Sequence, residues 1–261
     1  MPDGPIRAVL LDLEGTLFAK DKALPRVAAA VSALREQSLG VRFMTNIDSR
    51  SPDKVASKFA GCGLDVPAAD LFTPVSAAQA LFASVSDARV ATLISNVLQD
   101  EFASLDDTAP YTHVLVGGCR DVLDYARLDG AFRALRAGAE LVALQRGRYF
   151  LDADGDHLDT GAVVAGLEYS AGVKARVLGK PSIDFFALAA RSLGVPIQQC
   201  VVVGDDATTD ILGGRNAGAH TVQVRTGKYA DQQIEGITGS ADRTIDSIAD
   251  LPALLREGFA S

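Results

Sequence analysis

The sequence predicts an α/β fold in which a doubly wound parallel sheet is interrupted by an inserted α+β domain. In the first and last thirds of the chain, unbroken apolar runs that suit strands buried on both faces alternate with segments of helical periodicity. From about residue 84 the pattern changes to shorter strands in a different order. We therefore expect a core of residues 1–83 and 175–261 and an inserted domain of residues 84–174.

The first third predicts strands that alternate with helices. Residues 8–11 are apolar without a break, and Gly15 permits a sharp turn after them. The first helix carries Val27, Val31 and Leu34 at helical spacing. The predicted elements are strands at 8–11, 41–44 and 71–74 and helices at 26–37, 51–60 and 76–82.

The middle block combines short strands with two helices. An acidic run at residues 152–156 resembles part of a calcium-binding loop but lacks the Glu expected at the twelfth position. A hairpin turn at Asp154 and Gly155 is the better interpretation. The predicted elements are strands at 89–94, 112–116, 140–144 and 148–151 and helices at 123–136 and 160–169.

The last third returns to the alternating pattern. Ser182 and Gly218 are placed to begin and to end helices. The predicted elements are strands at 175–178, 200–203 and 220–224 and helices at 182–193, 208–217 and 245–255.

The composition argues against several classes of partner. The chain has 261 residues, of which 48% are hydrophobic and 22% charged, and its net charge is −8. Nucleic acids and anionic membranes reward a basic face, so neither is the expected partner. The dispersed cysteines Cys62, Cys119 and Cys200 indicate reduced thiols of a cytoplasmic protein. We expect neither a signal peptide nor a membrane span.

Four polar clusters lie at or just after the ends of predicted strands. Any one of them suits an ordinary turn or helix cap, but in an open α/β sheet the carboxyl ends of the strands converge on one crevice. Together the clusters therefore predict a single site. They are Asp12 with Glu14, Thr45 with Asn46, Lys180, and Asp205 with Asp206 and Asp210.

These residue types suit phosphoryl transfer through an aspartyl-phosphate. Asp12 would attack phosphorus directly. A phosphate dianion repels that carboxylate, so Mg²⁺ would be needed, held by Asp12, Asp205 and the backbone carbonyl of Glu14. Asp206 would act through water or only cap a helix, and Asp210 would orient a water on the metal.

The remaining clusters would bind the phosphate and move protons. Lys180 would hold a phosphoryl oxygen and offset the acids. Thr45 would donate its hydroxyl, together with its own backbone N–H or that of Asn46. Glu14 would protonate the leaving oxygen and then activate water for the second step.

The order and spacing of the clusters resemble the motifs of haloacid dehalogenase (HAD) superfamily phosphatases of type IIA, which carry a C2 cap between their second and third motifs. Residues 43–46 and 224–229 also look like this branch. The resemblance spans nearly the whole chain and implies a Rossmann-like core, an inserted cap and a Mg²⁺-dependent phosphatase of small phosphorylated metabolites. The matching segments are Asp12-Leu13-Glu14-Gly15-Thr16, Thr45-Asn46, Gly179-Lys180-Pro181, and Gly204-Asp205-Asp206 with Asp210.

The same resemblance implies roles for the inserted domain. A cap of this kind excludes water and contacts the substrate. The implied contacts are residues 159–162 and residues 119–121. Because C2-capped relatives often dimerise through the cap, residues 108–125 are the implied contact of a homodimer.

Glu14 departs from the usual pattern of the superfamily, whose phosphatases mostly carry a second Asp at this place. Glu retains the carboxylate but reaches further by one methylene, and enolase-phosphatases resemble this chain in having it. We expect the acid/base role to survive with altered geometry.

Four alternatives stay open. A catalytically weak or inactive phosphate- and Mg²⁺-binding protein is favoured only by Glu14. A receiver-like signalling domain conflicts with the length and the large insertion. A nucleotide-dependent enzyme lacks support because neither Gly-x-Gly-x-x-Gly nor a P-loop is present. A dehalogenase on the same fold would not need the acids Asp205 and Asp206.

Overall fold

A six-stranded parallel sheet forms the centre of the core, and the predicted α/β fold class is confirmed. The structure, a computed structural model, describes residues 4–19, 22–152 and 155–258. Because every neighbouring pair in this sheet is parallel, the carboxyl ends of its strands lie at one edge. Across the sheet the strands are β14 Arg243–Ile245, β13 His220–Val224, β12 Cys200–Gly204, β1 Ala8–Asp12, β4 Gly40–Met44 and β5 Leu71–Phe72.

The central position of β1 follows from its composition. Its four apolar residues are completely buried, as a strand covered on both faces requires. On one side Leu11 pairs with Val203 of β12, and on the other Asp12 pairs with Met44 of β4. A short antiparallel hairpin of β2 Phe18–Ala19 and β3 Lys22–Ala23 follows β1.

Helices follow most strands of this sheet. In α1 the residues Val27, Val31 and Leu34 are buried, as their spacing predicts. Among the described residues, no helix is both long enough and apolar enough to cross a membrane. The helices associated with the sheet are α1 Val27–Glu36, α2 Pro52–Ala60, α6 Ile183–Ser192, α7 Leu212–Ala217, α8 Tyr229–Ile234 and α9 Leu251–Glu257.

A second unit has its own four-stranded parallel sheet and its own apolar core. Residues such as Val114, Leu141 and Val164 fill that core. Its strands, in order across the sheet, are β11 Arg176–Val177, β8 Glu140–Ala143, β7 His113–Val116 and β6 Val90–Leu93, and a separate hairpin pairs β9 Tyr149–Asp152 with β10 Gly155–Leu158. Its helices are α3 Pro74–Ala83, α4 Tyr125–Arg136 and α5 Thr160–Ala171.

The division between the two units differs from the expected boundaries at residues 84 and 174. The first unit comprises Met1–Thr45, Pro52–Phe72 and Lys180–Ser261, and the second comprises Asn46–Ser51 and Thr73–Gly179. Helix α3 therefore belongs to the second unit.

The contacts of α3 explain this placement. The Gln79 side chain donates to the Glu101 backbone carbonyl at 3.1 Å, and the Phe82 ring meets the His113 ring edge-on at 5.4 Å. Both partners belong to the second unit.

The C-terminal segment differs most from expectation. Instead of one helix at 245–255, the chain forms strand β14, a 3₁₀ turn at Ile248–Asp250 and then α9. Ser247 and Asp250 form a capping box, which starts the helical turn after the strand. The hairpin expected near Asp154 is present as β9 and β10, but Asp154 itself lies outside the described residues.

Candidate active site

The strand ends bring the predicted acids to one edge of the sheet. β1 ends at Asp12, and β12 ends at Gly204, directly before Asp205. The Leu13 backbone N–H donates to the Met44 carbonyl at 3.2 Å, which keeps β1 and β4 together one residue beyond the strand. Asp205 therefore emerges beside Asp12, as the convergence of parallel strand ends requires.

Three carboxylates and one ammonium form the buried centre of the site. Each of Asp12, Asp205 and Asp210 offers a carboxylate oxygen, and these oxygens lie within 4.8 Å of one another. The three residues are 5%, 2% and 1% exposed. The Lys180 Nζ donates to Asp12 Oδ1 and, at 2.7 Å, to Asp210 Oδ1. The structure thus joins four predicted residues into one cluster.

The charges of this centre are unbalanced. Burial raises the pKa of Asp12 well above its usual range; Lys180 opposes this rise, and the neighbouring Asp210 and Asp205 add to it. Burial also raises the pKa of Asp205. Burial alone would lower the pKa of Lys180, but the carboxylates of Asp12 and Asp210 more than offset it, so Lys180 stays charged. Three carboxylates therefore share a single positively charged side chain, that of Lys180.

The centre fits a divalent cation such as Mg²⁺. Asp12 Oδ2 is buried and has no hydrogen-bond partner within the described part of the chain, which is costly unless a cation or substrate meets it. All three acids offer carboxylate oxygens, which are the type of ligand atom that Mg²⁺ prefers. Asp12, Asp205 and Asp210 are the residues that would hold the ion.

Asp206 and Asp210 differ in position: Asp206 has the capping role that was one of the two expected for it, whereas Asp210 lies in the buried cluster. Asp206 caps the turn after β12, where its Oδ1 accepts from the Thr208 N–H at 2.8 Å, and its Oδ2 pairs with Lys228 Nζ at 2.8 Å. Burial alone would raise the pKa of Asp206, but the hydrogen bonds from Lys228 and Thr208 hold it far below its usual range. Asp210 instead joins the buried cluster directly.

Glu14 lies outside the buried cluster. Its side chain is 58% exposed, and its Oε1 accepts from Lys58 Nζ of α2 at 2.8 Å. Sequence reasoning missed Lys58, because the pair joins positions 44 residues apart and no local pattern marks such a partner. An exposed pair of this kind orients the carboxylate more than it stabilises the fold.

The second predicted cluster is divided between the two units. Thr45 is buried directly after β4, and its backbone N–H donates to the Phe72 carbonyl at 3.4 Å. Asn46 begins the second unit, where its Oδ1 lies so close to Gly179 that a Cβ at that position would be 3.0 Å away. Asn46 is thus adjacent to the first residue of the third motif.

The residues predicted to contact substrate from the second unit have structural partners of their own. Asp159 caps α5 by accepting from the Thr160 N–H at 2.8 Å, and it also accepts from Gln145 Nε2 at 2.7 Å. Asp121 accepts from the Asn96 N–H at 3.0 Å. Asp48, which sequence reasoning missed, is buried and accepts from Thr160 Oγ1 at 2.7 Å.

Two family models match the chain. One, described as Haloacid dehalogenase-like hydrolase, matches residues 9–107, and the other, described as HAD-hydrolase-like, matches residues 177–251. The first match contains the first two predicted clusters, and the second match contains the last two.

Curated relatives match over most of their length. The chain is 35% identical over 224 residues to haloacid dehalogenase-like hydrolase domain-containing protein 2 of Bos taurus, covering 86% of each chain. It is 31% identical over 256 residues to the phospholysine phosphohistidine inorganic pyrophosphate phosphatase of Homo sapiens, covering 96% of this chain and 94% of the relative.

Solved structures agree with these matches. The p-nitrophenyl phosphatase from Archaeoglobus fulgidus is similar with a TM-score of 0.84 at 26% identity, covering 96% of this chain and all of the other. The predicted resemblance and the expectation of an enzyme of the phosphatase class are confirmed. The chain belongs to the haloacid dehalogenase-like hydrolase family.

Proposed function

We propose that this protein is a Mg²⁺-dependent phosphatase that hydrolyses small phosphomonoesters through an aspartyl-phosphate on Asp12. The observation that carries the proposal is the buried Asp12 carboxylate, with one oxygen held by Lys180 and the other without a partner among the described residues. That carboxylate belongs to a cluster of three acids suited to a divalent cation. Mg²⁺, when bound, supplies the positive charge that lets a phosphate dianion approach it.

The first step transfers the phosphoryl group to the protein. A carboxylate oxygen of Asp12 forms a bond to phosphorus while the bond from phosphorus to the leaving oxygen breaks. The carboxyl group of Glu14 gives its proton to that oxygen, so the alcohol leaves neutral. Lys180, Thr45 and Asn46 hold the phosphoryl oxygens.

The second step releases phosphate and restores the protein. Glu14, now a carboxylate, accepts a proton from water as the water oxygen attacks phosphorus. The bond between phosphorus and the Asp12 oxygen breaks, and the carboxylate of Asp12 returns. Lys58, whose Nζ lies 2.8 Å from Glu14 Oε1, orients the Glu14 carboxylate that accepts this proton.

The named relatives support the choice of substrate class. The solved relatives from Archaeoglobus fulgidus and Thermotoga maritima are named as nitrophenyl phosphatases, and both are 26% identical to this chain. The human relative is named for phospholysine, phosphohistidine and inorganic pyrophosphate. We infer that this chain likewise acts on small phosphorylated compounds.

The test measures phosphate release from p-nitrophenyl phosphate with and without Mg²⁺. We expect release that requires Mg²⁺ and is lost in Asp12→Asn, whereas the exposed matched variant Asp100→Asn should retain native activity. Acid quenching during turnover should trap a phosphorylated peptide that contains Asp12. Full activity in Asp12→Asn, or a trapped phosphate on another residue, would refute the proposal.

The alternative is a catalytically weak or inactive protein that still binds phosphate and Mg²⁺. It is favoured by the position of Glu14, which is exposed and paired with Lys58 outside the buried cluster. Under this alternative, calorimetry would detect Mg²⁺ and phosphate binding, but no member of a panel of metabolite phosphates would be hydrolysed.

We propose that the second unit is a C2-type cap that selects the substrate, with contacts from residues 119–121 and 159–162. Substitution of Arg120 by Ala should then change KM across a panel of phosphomonoesters while leaving kcat for p-nitrophenyl phosphate nearly unchanged. A change confined to kcat would contradict the cap role for this residue.

We further propose a homodimer through residues 108–125, supported by Leu123 and Tyr125, which are 43% and 83% exposed. Light scattering should give twice the chain mass of 27.3 kDa, and Tyr125→Glu should give the monomer. A native monomer at micromolar concentration would exclude this interface.

The cytoplasmic location is proposed from the unpaired thiols of Cys62, Cys119 and Cys200, and cell fractionation tests it.

A further inference from the structure

A loop that belongs to none of the four motifs touches the proposed metal site. Thr226, Gly227 and Lys228 follow β13, which lies beside β12 in the sheet; we call them the 226–228 loop. The Thr226 hydroxyl donates to the Gly15 backbone carbonyl at 2.6 Å. This bond ties the 226–228 loop to the turn that follows Asp12.

Two glycines leave room for the Asp205 carboxylate. Gly15 and Gly227 have φ angles of +91° and +58°, in the left-handed region that favours glycine. A Cβ on either residue would overlap with Asp205 Oδ2, and a Cβ on Gly227 would also lie 2.6 Å from the Gly15 Cα. The two loops are therefore packed against each other and against the same carboxylate oxygen.

Hydrogen bonds complete the hold on Asp205. The Lys228 backbone N–H donates to Asp205 Oδ2 at 2.7 Å, and the Gln223 side chain donates to the Asp205 carbonyl at 3.0 Å. Among the described hydrogen bonds, Asp205 Oδ1 accepts only a long one from Thr16 Oγ1, at 3.4 Å. One oxygen is thus fixed by the 226–228 loop, and the other is left for the cluster with Asp12.

The side chain of Lys228 anchors the 226–228 loop. Its Nζ pairs with Asp206 Oδ2 at 2.8 Å, while Asp206 Oδ1 accepts from Gln232 Nε2 at 2.8 Å. Because Asp206 directly follows Asp205, this network connects the end of β12 with the start of α8. The Lys228 side chain is 67% exposed, so its charge is screened and its contribution is mainly geometric.

We infer that the 226–228 loop is a positioning element of the metal site, which holds Asp205 so that its Oδ1 faces the ion. Without these contacts the Asp205 carboxylate would turn away from Asp12 and Asp210, because like charges repel strongly in a buried site. Groups that orient a metal ligand are commonly required for full affinity. The inference rests on the proposed function, since it presumes that the acidic cluster binds a divalent cation.

Two glycine variants separate contact with Asp205 from backbone strain. Gly227→Ala places a methyl group against Asp205, whereas Gly236→Ala, at a φ of +71°, meets nothing within 4 Å. Both variants carry the cost of a side chain in the left-handed region. A merely structural role would therefore lower the melting temperature in both and move metal affinity in neither.

The readout is direct binding of Mn²⁺, a paramagnetic stand-in for Mg²⁺, to metal-free full-length protein. The signal of free Mn²⁺ in electron paramagnetic resonance reports affinity without turnover. We expect Gly227→Ala to bind about tenfold more weakly than the native protein, and Gly236→Ala to bind like it. With substrate, the Mg²⁺ requirement of Gly227→Ala should rise while KM for p-nitrophenyl phosphate stays near native.

Thr226 provides a second test if Gly227→Ala fails to fold. Thr226→Val removes the hydroxyl that donates to Gly15 and should weaken Mn²⁺ binding by about tenfold, whereas Thr226→Ser retains the hydroxyl and should restore native binding. Native Mn²⁺ affinity in both Gly227→Ala and Thr226→Val would overturn the inference and leave the proposed function standing. Absence of Mn²⁺ binding in the native protein would overturn both.

Discussion

Substitution of Asp48 by Asn should stabilise the protein at neutral pH but not at acidic pH. Asp48 is 6% exposed, and its Oδ2 accepts from Thr160 Oγ1 at 2.7 Å. Burial raises the pKa of Asp48 to about 6; the hydrogen bond from Thr160 opposes this rise, and the nearby Asp159 adds to it. Asn fits the same space, and its carbonyl oxygen can accept from Thr160.

The sign and size of the effect follow from proton linkage. Between about pH 4 and pH 6 the folded protein holds a proton on Asp48 that the unfolded chain has released, so rising pH lowers the free energy of unfolding in this window. A rise from 3.8 to about 6 corresponds to about 3 kcal/mol, since each pKa unit is worth 1.36 kcal/mol. The Asp48→Asn variant, whose amide does not ionise, would avoid this cost above pH 6.

Differential scanning calorimetry between pH 4 and pH 8 tests this prediction. Relative to native protein, Asp48→Asn should gain up to about 3 kcal/mol at pH 7, or roughly 6–12 °C in melting temperature for a chain of this size, and about nothing at pH 4. Asp100→Asn, at an exposed position of the same unit, should show no such trend. A difference that stays constant across the pH range, or a less stable Asp48→Asn at pH 7, would refute the reasoning.

Three further predictions follow from buried charge and close packing. Asp12→Asn should raise the metal-free melting temperature at pH 7 by about 2–4 °C, because it removes a carboxylate whose pKa is raised by burial; a lower melting temperature would count against this. Lys180→Met should destabilise the metal-free protein by about 3–5 kcal/mol at pH 7, measured by urea unfolding, and by less at pH 5, because burial raises the pKa of Asp12 and of Asp205 and a protonated carboxyl group needs no cation; equal losses at both values would contradict it. Gly161→Ala should cost about 1–3 kcal/mol, because its Cβ would overlap with the Gly147 carbonyl, whereas Gly166→Ala in the same helix meets nothing and should gain about 0.5–1 kcal/mol; urea unfolding that ranks the pair the other way would show the packing argument to be wrong.

The convergence of the site could be predicted because it depends on local patterns and one topological rule. The apolar run before Asp12 and the one before Asp205 each indicated a buried strand, and parallel strands end at one edge. The structure brings both acids together with Lys180 and Asp210. None of this required knowledge of side-chain contacts.

The direct place of Asp210 in the buried cluster could not be predicted, because it depends on an irregular turn. Residues Ala207–Ile211 form a π-helical turn, in which the N–H groups of Asp210 and Ile211 both donate to the Asp206 carbonyl. Ordinary helical periodicity assigns Asp210 to an exposed face, whereas in this turn it is 1% exposed. The composition of the segment does not reveal the extra residue in the turn.

Neither contacts between distant residues nor the boundaries of the two units could be predicted from local sequence patterns. The pairing of Glu14 with Lys58 joins positions whose neighbours carry no common signal. Helix α3 follows the alternation of the first third, yet Gln79 and Phe82 make their contacts within the second unit. Periodicity identifies a helix but not the sheet on which it packs.

The pairing of β1 with β12 determines when the site can form during synthesis. Leu11 pairs with Val203, so a growing chain carries the completed β1 through nearly two hundred residues before its second neighbour exists. During that time one edge of a strand with four consecutive apolar residues has no partner, which exposes the chain to aggregation. The second unit, whose longest segment Thr73–Gly179 is continuous, has most of its contacts available earlier. Any product truncated before residue 200 therefore lacks both the metal cluster and the cover of β1, so slow or interrupted translation should deplete the soluble protein rather than yield a partly active one.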